Sequence, residues 1–414
     1  MDVKEYLLTS SQHSQQFSAC LWDYNTLNVM KLYRNGGTIS SNCLEMIGDE
    51  YILTGEVAKP LLHVWLLNNQ DVSKNVRLIL PEPATCLAVC PKQVYLAVGM
   101  TCKLYIWHIS SGKLLSVQQK NYQPITCIKF SSDGAFVLVG GQDGMLVVYN
   151  LCDLIALSNN YLAQTDIGQV EPVYVKNDHS LPITNLHVGS FGKKSRLATV
   201  STDQTCRLYN LLTGENLLTL VFDEPLTSVV FDACCWQLYV GCASGIMRAF
   251  NLQQPPRTVT HHITKKSSLT FEGHTKKVTC LALSLCNTVL ASGSDDNFVF
   301  TWDIKSRQIL KKIEHKAAIT NIKFVMSFEN FFADVMKPKT VLSSLERNTD
   351  FSNDFKISQI QLQDIELSDD ENSIEKEKER DKIREENTRL RVINKQLYNA
   401  ALEIRKKYSN NLRE

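Results

Sequence analysis

The chain has 414 residues and carries 44 Lys and Arg against 43 Asp and Glu, which gives a formal net charge of +1 at pH 7. This balance excludes a global positive field for nucleic acid, and no apolar stretch approaches the roughly 18 residues that a membrane-spanning helix needs. The first residues lack the apolar run of a signal peptide, so we expect none. The chain has thirteen Cys and no Cys-x-x-Cys pair, and Cys43, Cys86, Cys127 and Cys280 lie in or next to short apolar segments, which favours reduced core residues over a disulfide framework or a zinc site.

In chain order, the first predicted elements are three strands at residues 5–10, 17–22 and 27–33, which come before any complete repeated unit. From residue 42 onward, a short apolar strand, usually centred on Thr, recurs with anchors at positions 42, 85, 126, 184, 227, 279 and 320. Four of the six gaps between anchors are 41 or 43 residues long, which is the length of one four-stranded propeller blade.

An aromatic residue follows each of the first six anchors by 22 to 25 residues and closes a second alternating strand. Alternation with β-branched and aromatic residues favours strands over helices, and turns rich in Gly, Ser and Asp separate the strands. The aromatic positions are Trp65, Trp107, Tyr149, Tyr209, Phe250 and Trp302. This constant offset predicts six complete units between about residues 42 and 317.

The dipeptides Trp22-Asp23, Trp302-Asp303 and Gly273-His274 resemble the signature of WD-repeat β-propellers. In that family a His, a Ser or Thr, an Asp and a Trp form a hydrogen-bonded tetrad inside a blade, and the resemblance implies structural tetrads here. The matching residues are His274, Ser292, Asp296 and Trp302 in the seventh blade, and His179, Thr199, Asp203 and Tyr209 in the fifth.

Several blades depart from the tetrad pattern. Tyr209 replaces Trp in the fifth blade, and because a phenol and an indole donate at different reach, that network must differ. The fourth blade keeps Asp143 and Tyr149 but has no matching His, and the sixth keeps neither His nor Asp, with Ser244 at the Asp position. We therefore expect core packing to hold the blades in which the tetrad is incomplete.

The last predicted strand, at residues 319–325, matches the first strand of a blade but is not followed by further strands. The three N-terminal strands, in contrast, have no first strand before them. Together the two fragments would form one complete blade from both ends of the chain, which would leave no unpaired sheet edge where the ring closes. The sequence therefore predicts an all-β fold, a seven-bladed WD-repeat β-propeller closed by both termini, over residues 1–326.

The pattern changes after the propeller. Residues 327–370 lack alternation and end acidic, which predicts a flexible acidic linker. An apolar segment at residues 328–336 is expected to pack back on the propeller, with a separate partner site as the alternative. Residues 371–410 contain neither Gly nor Pro and predict a coiled-coil helix. Its predicted oligomerisation seam consists of Ile383, Leu390, Ile393, Leu397 and Ile404.

Charge is polarised along this C-terminal region. Residues 361–386 contain eleven acidic and five basic side chains, whereas residues 387–414 contain seven basic and two acidic ones. Because parallel self-pairing would place like charges side by side, we expect an antiparallel homodimer or a different partner. A solvated single helix is the alternative.

Catalytic, cofactor and metal signals are absent from the sequence. The segment at residues 189–195 superficially resembles a phosphate loop, but its glycine spacing is wrong and it lies between two strands. The repeat explains His179 and His274 as blade residues, and the His261-His262 pair is expected in a solvated loop. We therefore predict that the protein is not an enzyme.

The arrangement of the whole chain resembles the family of WD repeat-containing protein 18 and its fungal counterparts. The resemblance rests on a degenerate propeller with an unusual closing blade, an acidic linker, and the segments LPITNLH at 181–187, DQT at 203–205 and NTRLRVINKQLY at 387–398. It implies a non-catalytic scaffold subunit, without cofactors, of a nuclear complex with a large helical-repeat scaffold and a second helical-repeat subunit. That complex assists maturation of the large (60S) ribosomal subunit, including removal of internal transcribed spacer 2, and recruits a dynein-like ATPase to the pre-60S particle in the nucleolus and nucleoplasm.

Two alternative functions remain from the sequence. One is a ubiquitin-ligase or signalling adaptor, which the fold permits equally. The other is a phosphoinositide-binding propeller of the autophagy type, although its Phe-Arg-Arg-Gly signature is absent here. Direct RNA contact stays open, because the insertion at residues 251–278 carries a local positive charge that is also typical of a solvated loop.

Overall fold

The computed structural model describes residues 4–12, 17–74, 76–159, 169–263, 269–347 and Arg389. Over these residues the chain forms seven sheets whose first strands contact one another in a closed ring. Each sheet is one blade, with its first strand next to the central channel and its last strand at the periphery. The predicted seven-bladed β-propeller is therefore confirmed. No helix in the described part of the chain is long and apolar enough to cross a membrane.

The first four blades include the one that joins the chain ends. Blade 1 consists, from the channel outward, of β29 (Ile319–Met326), β1 (Glu5–Ser11), β2 (Ala19–Trp22) and β3 (Val29–Tyr33). Blade 2 consists of β4 (Ile39–Ile47), β5 (Tyr51–Glu56), β6 (Leu61–Leu66) and β7 (Leu78–Ile79). Blade 3 consists of β8 (Cys86–Val89), β9 (Tyr95–Met100), β10 (Lys103–His108) and β11 (Leu114–Gln118). Blade 4 consists of β12 (Ile125–Phe130), β13 (Phe136–Gly141), β14 (Leu146–Asn150) and β15 (Tyr174–Lys176), with helix α1 (Leu151–Asn159) after β14.

The remaining three blades follow in sequence, with one exchange between them. Blade 5 contains β16 (Ile183–Val188), β17 (Arg196–Ser201), β18 (Thr205–Asn210) and β19 (Asn216–Val221). Blade 6 contains β20 (Leu226–Phe231), β21 (Gln237–Cys242), β22 (Met247–Asn251) and β24 (Leu269–Phe271). Blade 7 contains β25 (Val278–Leu283), β26 (Val289–Ser294), β27 (Phe298–Asp303) and β28 (Ile309–Glu314). Strand β23 (Thr260–His262) pairs in parallel with β19, so the histidine pair lies in a fifth strand of blade 5 and the expected loop is wrong.

The recurring Thr of the first strands links neighbouring blades. Thr126 Oγ1 lies 3.1 Å from the carbonyl oxygen of Gly140 in its own blade and 2.5 Å from that of Ile183 in the next. The same double contact recurs at Thr184, Thr227 and Thr279. A hydroxyl that reaches the backbone of two blades explains why Thr recurs at this position, because it joins neighbouring sheets by hydrogen bonds at the channel.

Close packing explains the cysteines that follow these anchors. An added Cβ at Gly140 would come within 2.7 Å of Cys127 Sγ, so the sulfur occupies the space that a larger residue on β13 would need. Cys86 against Gly99 repeats this arrangement. Burial raises the pKa of Cys127 to about 11. All thirteen cysteines are free, and of the four predicted core residues Cys43, Cys86 and Cys127 are buried and Cys280 is half-buried.

The two ends of the chain complete blade 1, as the sequence predicted. Strand β1 pairs antiparallel with β29 from Glu5 opposite Met326 to Ser11 opposite Ile319, with a register shift at Ser10 and Ser11. Strand β29 in turn contacts the first strands of blades 2 and 7. The ring therefore closes through hydrogen bonds between residues about three hundred positions apart in the sequence, and β29 covers the inner edge that β1 would otherwise leave unpaired.

The segment predicted to begin a flexible linker at residue 327 instead packs on the propeller as far as residue 347. We call residues 327–347 the strap. A short 3-10 helix, Glu329–Phe331, follows β29, and Phe331 is fully buried. Farther along, the backbone N–H of Glu346 donates to Gly112 O in blade 3 at 2.9 Å. The expectation that residues 328–336 pack back on the propeller thus agrees with the structure, whereas a linker start at 327 does not.

The remaining C-terminal predictions lie outside the described residues. These are the linker from residue 348 onward and the coiled-coil helix at 371–410, apart from Arg389. The five seam residues from Ile383 to Ile404 therefore stay predictions.

Candidate functional site

Blade 7 brings its four tetrad residues into one hydrogen-bonded chain. His274 Nδ1 lies 2.9 Å from Asp296 Oδ2, and His274 Nε2 lies 2.8 Å from Ser292 Oγ. The Trp302 indole N–H donates to the same Ser292 oxygen at 2.8 Å. Burial lowers the pKa of His274 despite the adjacent carboxylate. The ring is therefore neutral near pH 7, and the carboxylate acceptor fixes its proton on Nδ1.

Blade 5 forms the same chain up to its last member. His179 Nδ1 lies 2.9 Å from Asp203 Oδ2, and His179 Nε2 lies 2.8 Å from Thr199 Oγ1. The Tyr209 hydroxyl, however, donates to Asp178 Oδ2 at 2.9 Å. The hydroxyl of Tyr209 lies farther from the backbone than the N–H of an indole would, so it reaches a different acceptor. The sequence predicted that the network of blade 5 differs in this way.

The Asp203 carboxylate shows how strongly such a site favours the ionised form. Burial acts to raise the pKa of Asp203, but hydrogen bonds from His179 and Thr205 outweigh it and hold the pKa far below its usual value. The Thr205 hydroxyl contributes a bond of 2.6 Å to Asp203 Oδ1. This carboxylate is a fixed acceptor that organises the turn between β17 and β18.

The seam blade contains a related network that the sequence reasoning missed. The Trp22 indole N–H donates to Thr9 Oγ1 at 3.0 Å, and His315 Nε2 lies 3.3 Å from the same oxygen. A usable signal was present, because His315 precedes Thr320 by five residues, the offset that separates His274 from the next anchor. Burial lowers the pKa of His315 to about 4, so this ring too is neutral near pH 7. The network joins both ends of the propeller sequence.

Two degenerate blades replace the missing histidine with other polar groups. In blade 4, Asn121 Nδ2 donates to Asp143 Oδ1 at 3.2 Å, so an amide takes the place of the imidazole. In blade 6, Glu224 Oε1 accepts from Arg248 Nη2 at 3.4 Å, while the backbone N–H of Ser244 donates to Glu224 Oε2. The sequence showed that these blades lack His, and the structure shows what they use instead.

These networks organise turns and do not form a reactive centre. Their histidines are buried, and their hydrogen-bond partners belong to the same blade. A general acid or base must reach the proton of a substrate, which these rings cannot do. Among the described residues, no group of three or more His, Cys, Asp or Glu side chains could hold a metal ion.

Comparison with known proteins gives matches of two kinds. The family model "WD domain, G-beta repeat" matches residues 112–150 and 265–303. WD repeat-containing protein 18 of Danio rerio is 32% identical over 83% of this chain and 78% of its own length. The Homo sapiens protein of the same name is 28% identical over the same shares. The pre-rRNA-processing protein IPI3 of Candida albicans is 28% identical over 73% of this chain and 68% of its own length.

Proposed function

The chain belongs to the family of WD repeat-containing protein 18, and on that basis we propose that it is a non-catalytic scaffold subunit in maturation of the large (60S) ribosomal subunit. The observation that carries the proposal is similarity over 73% of the chain to a fungal protein named for pre-rRNA processing. The buried, intra-blade histidine networks support a scaffold and not an enzyme.

The finer parts of the proposal concern partners and place. We place the protein in the nucleus, in the nucleolus and nucleoplasm, bound to a large helical-repeat scaffold and a second helical-repeat subunit. Together they act on the pre-60S particle during removal of internal transcribed spacer 2 and recruit a dynein-like ATPase. A closed propeller suits this role because its loops and strand edges present several separate surfaces on one rigid body.

Depletion of the protein is expected to leave unprocessed large-subunit rRNA precursors while the small-subunit rRNA matures normally. Northern blotting measures the large-subunit precursors with a probe in internal transcribed spacer 2 and the small-subunit rRNA with a probe in its mature sequence. Re-expression of the wild-type chain is the control and should restore processing. Normal precursor levels after verified depletion would contradict the proposal. Affinity purification that recovers ubiquitin-ligase subunits and no pre-ribosomal proteins would favour the adaptor alternative.

We further propose that the C-terminal helix makes the protein oligomeric. A Leu390→Glu, Leu397→Glu double variant places charge in the seam, where each buried Leu contributes about 1.5–3 kcal/mol, and should reduce the protein to a monomer. The matched control is Val392→Glu with Asn399→Glu, which adds the same charge at positions outside the seam. Light scattering gives the masses. Equal masses for wild type and the seam variant would show that the helix does not pair with itself.

A further inference from the structure

One position of the repeated first strand lines the central channel all the way round. It is the third residue after each anchor, and the seven residues are Glu45, Ala88, Lys129, His187, Val230, Ala282 and Lys323. Two adjacent cavities of about 490 and 400 Å³ are lined by these residues. They open on the face that carries the connections between the first and second strands of the blades, which we call the bottom face.

Three of these residues form a charged cluster with an excess of positive charge. One carboxylate oxygen of Glu45 forms an ion pair with Lys129 Nζ at 3.3 Å. The second oxygen forms an ion pair with Lys323 Nζ. Burial acts to raise the pKa of Glu45, but the two ammonium groups outweigh it and hold the pKa below its usual value. One carboxylate therefore faces two ammonium groups, and both lysine side chains stay more than a third exposed.

The 400 Å³ cavity, which we call the channel mouth, adds a neutral donor to this cluster. The backbone N–H of Phe231 donates to His187 Nδ1 at 3.3 Å. Burial and the nearby Lys129 lower the pKa of His187 to about 4, so the ring is neutral and carries its proton on Nε2. Its Nε2 has no hydrogen-bond partner among the described residues. The channel mouth thus offers an N–H donor beside the two ammonium groups.

The opposite wall of the channel mouth is apolar, and its rim mixes polar residues such as Ser190 and Asn287 with the apolar Leu285. Val230 and Ala282 occupy the neutral side of the ring. The bottom-face connections next to the cavity expose Phe191, Trp236 and Leu285, each by more than half. Hydrogen bonds join these connections, since the Ala233 backbone N–H donates to Asn287 Oδ1 at 3.3 Å. The loops around the channel mouth therefore expose apolar groups above a positively charged floor.

We propose that the channel mouth binds an extended acidic segment of a partner protein, with one carboxylate side chain inserted between Lys129, Lys323 and His187 and apolar side chains on the rim. Charge complementarity selects this occupant, because the floor has room for one negative charge beyond Glu45. The inserted carboxylate would accept from the unused ammonium N–H groups and from His187 Nε2. Leu or Phe neighbours in the segment would cover the exposed rim residues.

The same features disfavour two other classes of ligand. A polyphosphate carries several negative charges, and the Glu45 carboxylate in the cavity would repel those beyond the first. A nucleic-acid phosphate is part of a backbone and has a sugar on each side. The charged floor lies among the first strands inside the channel, so a carboxylate at the end of a flexible side chain can reach it more easily than such a phosphate. The inference does not depend on the proposed ribosomal role, since it concerns only the chemistry of the channel mouth.

The test uses a fluorescein-labelled dodecapeptide in which Glu alternates with Leu and Phe. Fluorescence anisotropy measures its binding to the full-length protein. The variant is Glu45→Gln, Lys129→Met, Lys323→Met, which removes the charges together and leaves no orphaned carboxylate. We expect its Kd to be at least about tenfold higher than that of wild type. Raising KCl from about 50 to about 300 mM should also weaken wild-type binding, because partly exposed lysines are screened by salt.

Several controls make the result decisive. Lys276→Met removes an exposed lysine from the opposite face and should leave the Kd unchanged. A peptide with Gln in place of Glu should not bind. Ala282→Met narrows the cavity without touching the charges and should also weaken binding, so a folding defect in the triple variant does not leave the question open. Equal affinity of wild type and both cavity variants would overturn the proposal, as would absence of saturable binding. Tighter binding of inorganic tripolyphosphate or a single-stranded decauridylate at the same site would overturn the peptide assignment.

Discussion

Replacing Phe331 by Ala is expected to lower the free energy of unfolding by about 3–5 kcal/mol. This side chain is 0% exposed and belongs to the core shared by blades 1, 2 and 3. Its ring centroid lies 6.2 Å from that of Tyr6 and 6.1 Å from that of Phe328. Its removal therefore leaves a cavity between the strap and the closing blade, which the rigid sheets cannot fill by collapse.

The neighbouring Phe332 supplies a matched control. It is 51% exposed, so Phe332→Ala should cost less than about 1 kcal/mol. Urea unfolding followed by tryptophan fluorescence measures both variants. A similar midpoint for the two would contradict the assignment of the strap to the propeller core, because a strap that is only loosely attached would make the two phenylalanines equivalent.

The strap also contributes polar contacts that make its loss costly. Both oxygens of the Glu50 carboxylate accept backbone N–H groups of the strap, from Lys339 at 2.7 Å and Thr340 at 2.9 Å. At the far end, the Trp107 indole N–H donates to Glu346 O at 2.8 Å. Trp107 occupies in blade 3 the position that Trp302 occupies in blade 7. The strap therefore accepts the indole hydrogen bond of Trp107, as Ser292 accepts that of Trp302.

The repeat made the fold predictable from the sequence, whereas the strap shows where sequence reasoning ended. A constant offset between anchor and aromatic reports the spacing of strands within a blade, and six such units with complementary fragments at the two chain ends predict a closed seven-bladed ring. The strap has no period, because its residues contact three blades in turn. Phe331 and Phe332 are adjacent and chemically identical, and only the position of the blades decides which one is buried.

The candidate sites divide in the same way. The tetrad residues occupy fixed offsets from their anchors, so His274 and His179 could be assigned from the sequence. The seam network could also have been found, but Thr9 and His315 belong to opposite ends of the chain and meet only after closure. The channel-mouth cluster depends on two lysines from blades 1 and 4 reaching one carboxylate in blade 2, which follows from the geometry of the ring and not from any local motif.

Replacing Asp296 by Ala is expected to destabilise blade 7 by roughly 3 kcal/mol. Its carboxylate accepts from the His274 ring at 2.9 Å and from the backbone N–H groups of Thr275 and Phe298 at 3.0 Å each. Burial acts to raise the pKa of Asp296, but these bonds outweigh it and hold the pKa below its usual value. The substitution leaves the buried His274 Nδ1–H without its acceptor. The backbone N–H groups of Thr275 and Phe298 also lose theirs.

Asp295 is the matched control, because it lies next to Asp296 and differs in environment. Its side chain is 32% exposed and forms an ion pair with Lys277 at 3.2 Å, whereas the Asp296 side chain is 4% exposed. A surface ion pair of this kind contributes about 0–1 kcal/mol, so Asp295→Ala should hardly change the melting temperature. The Asp296→Ala protein should melt several degrees lower. Equal melting temperatures for the two variants would contradict a stabilising role for the tetrad, since the two changes remove the same chemical group and differ only in the bonds that it makes.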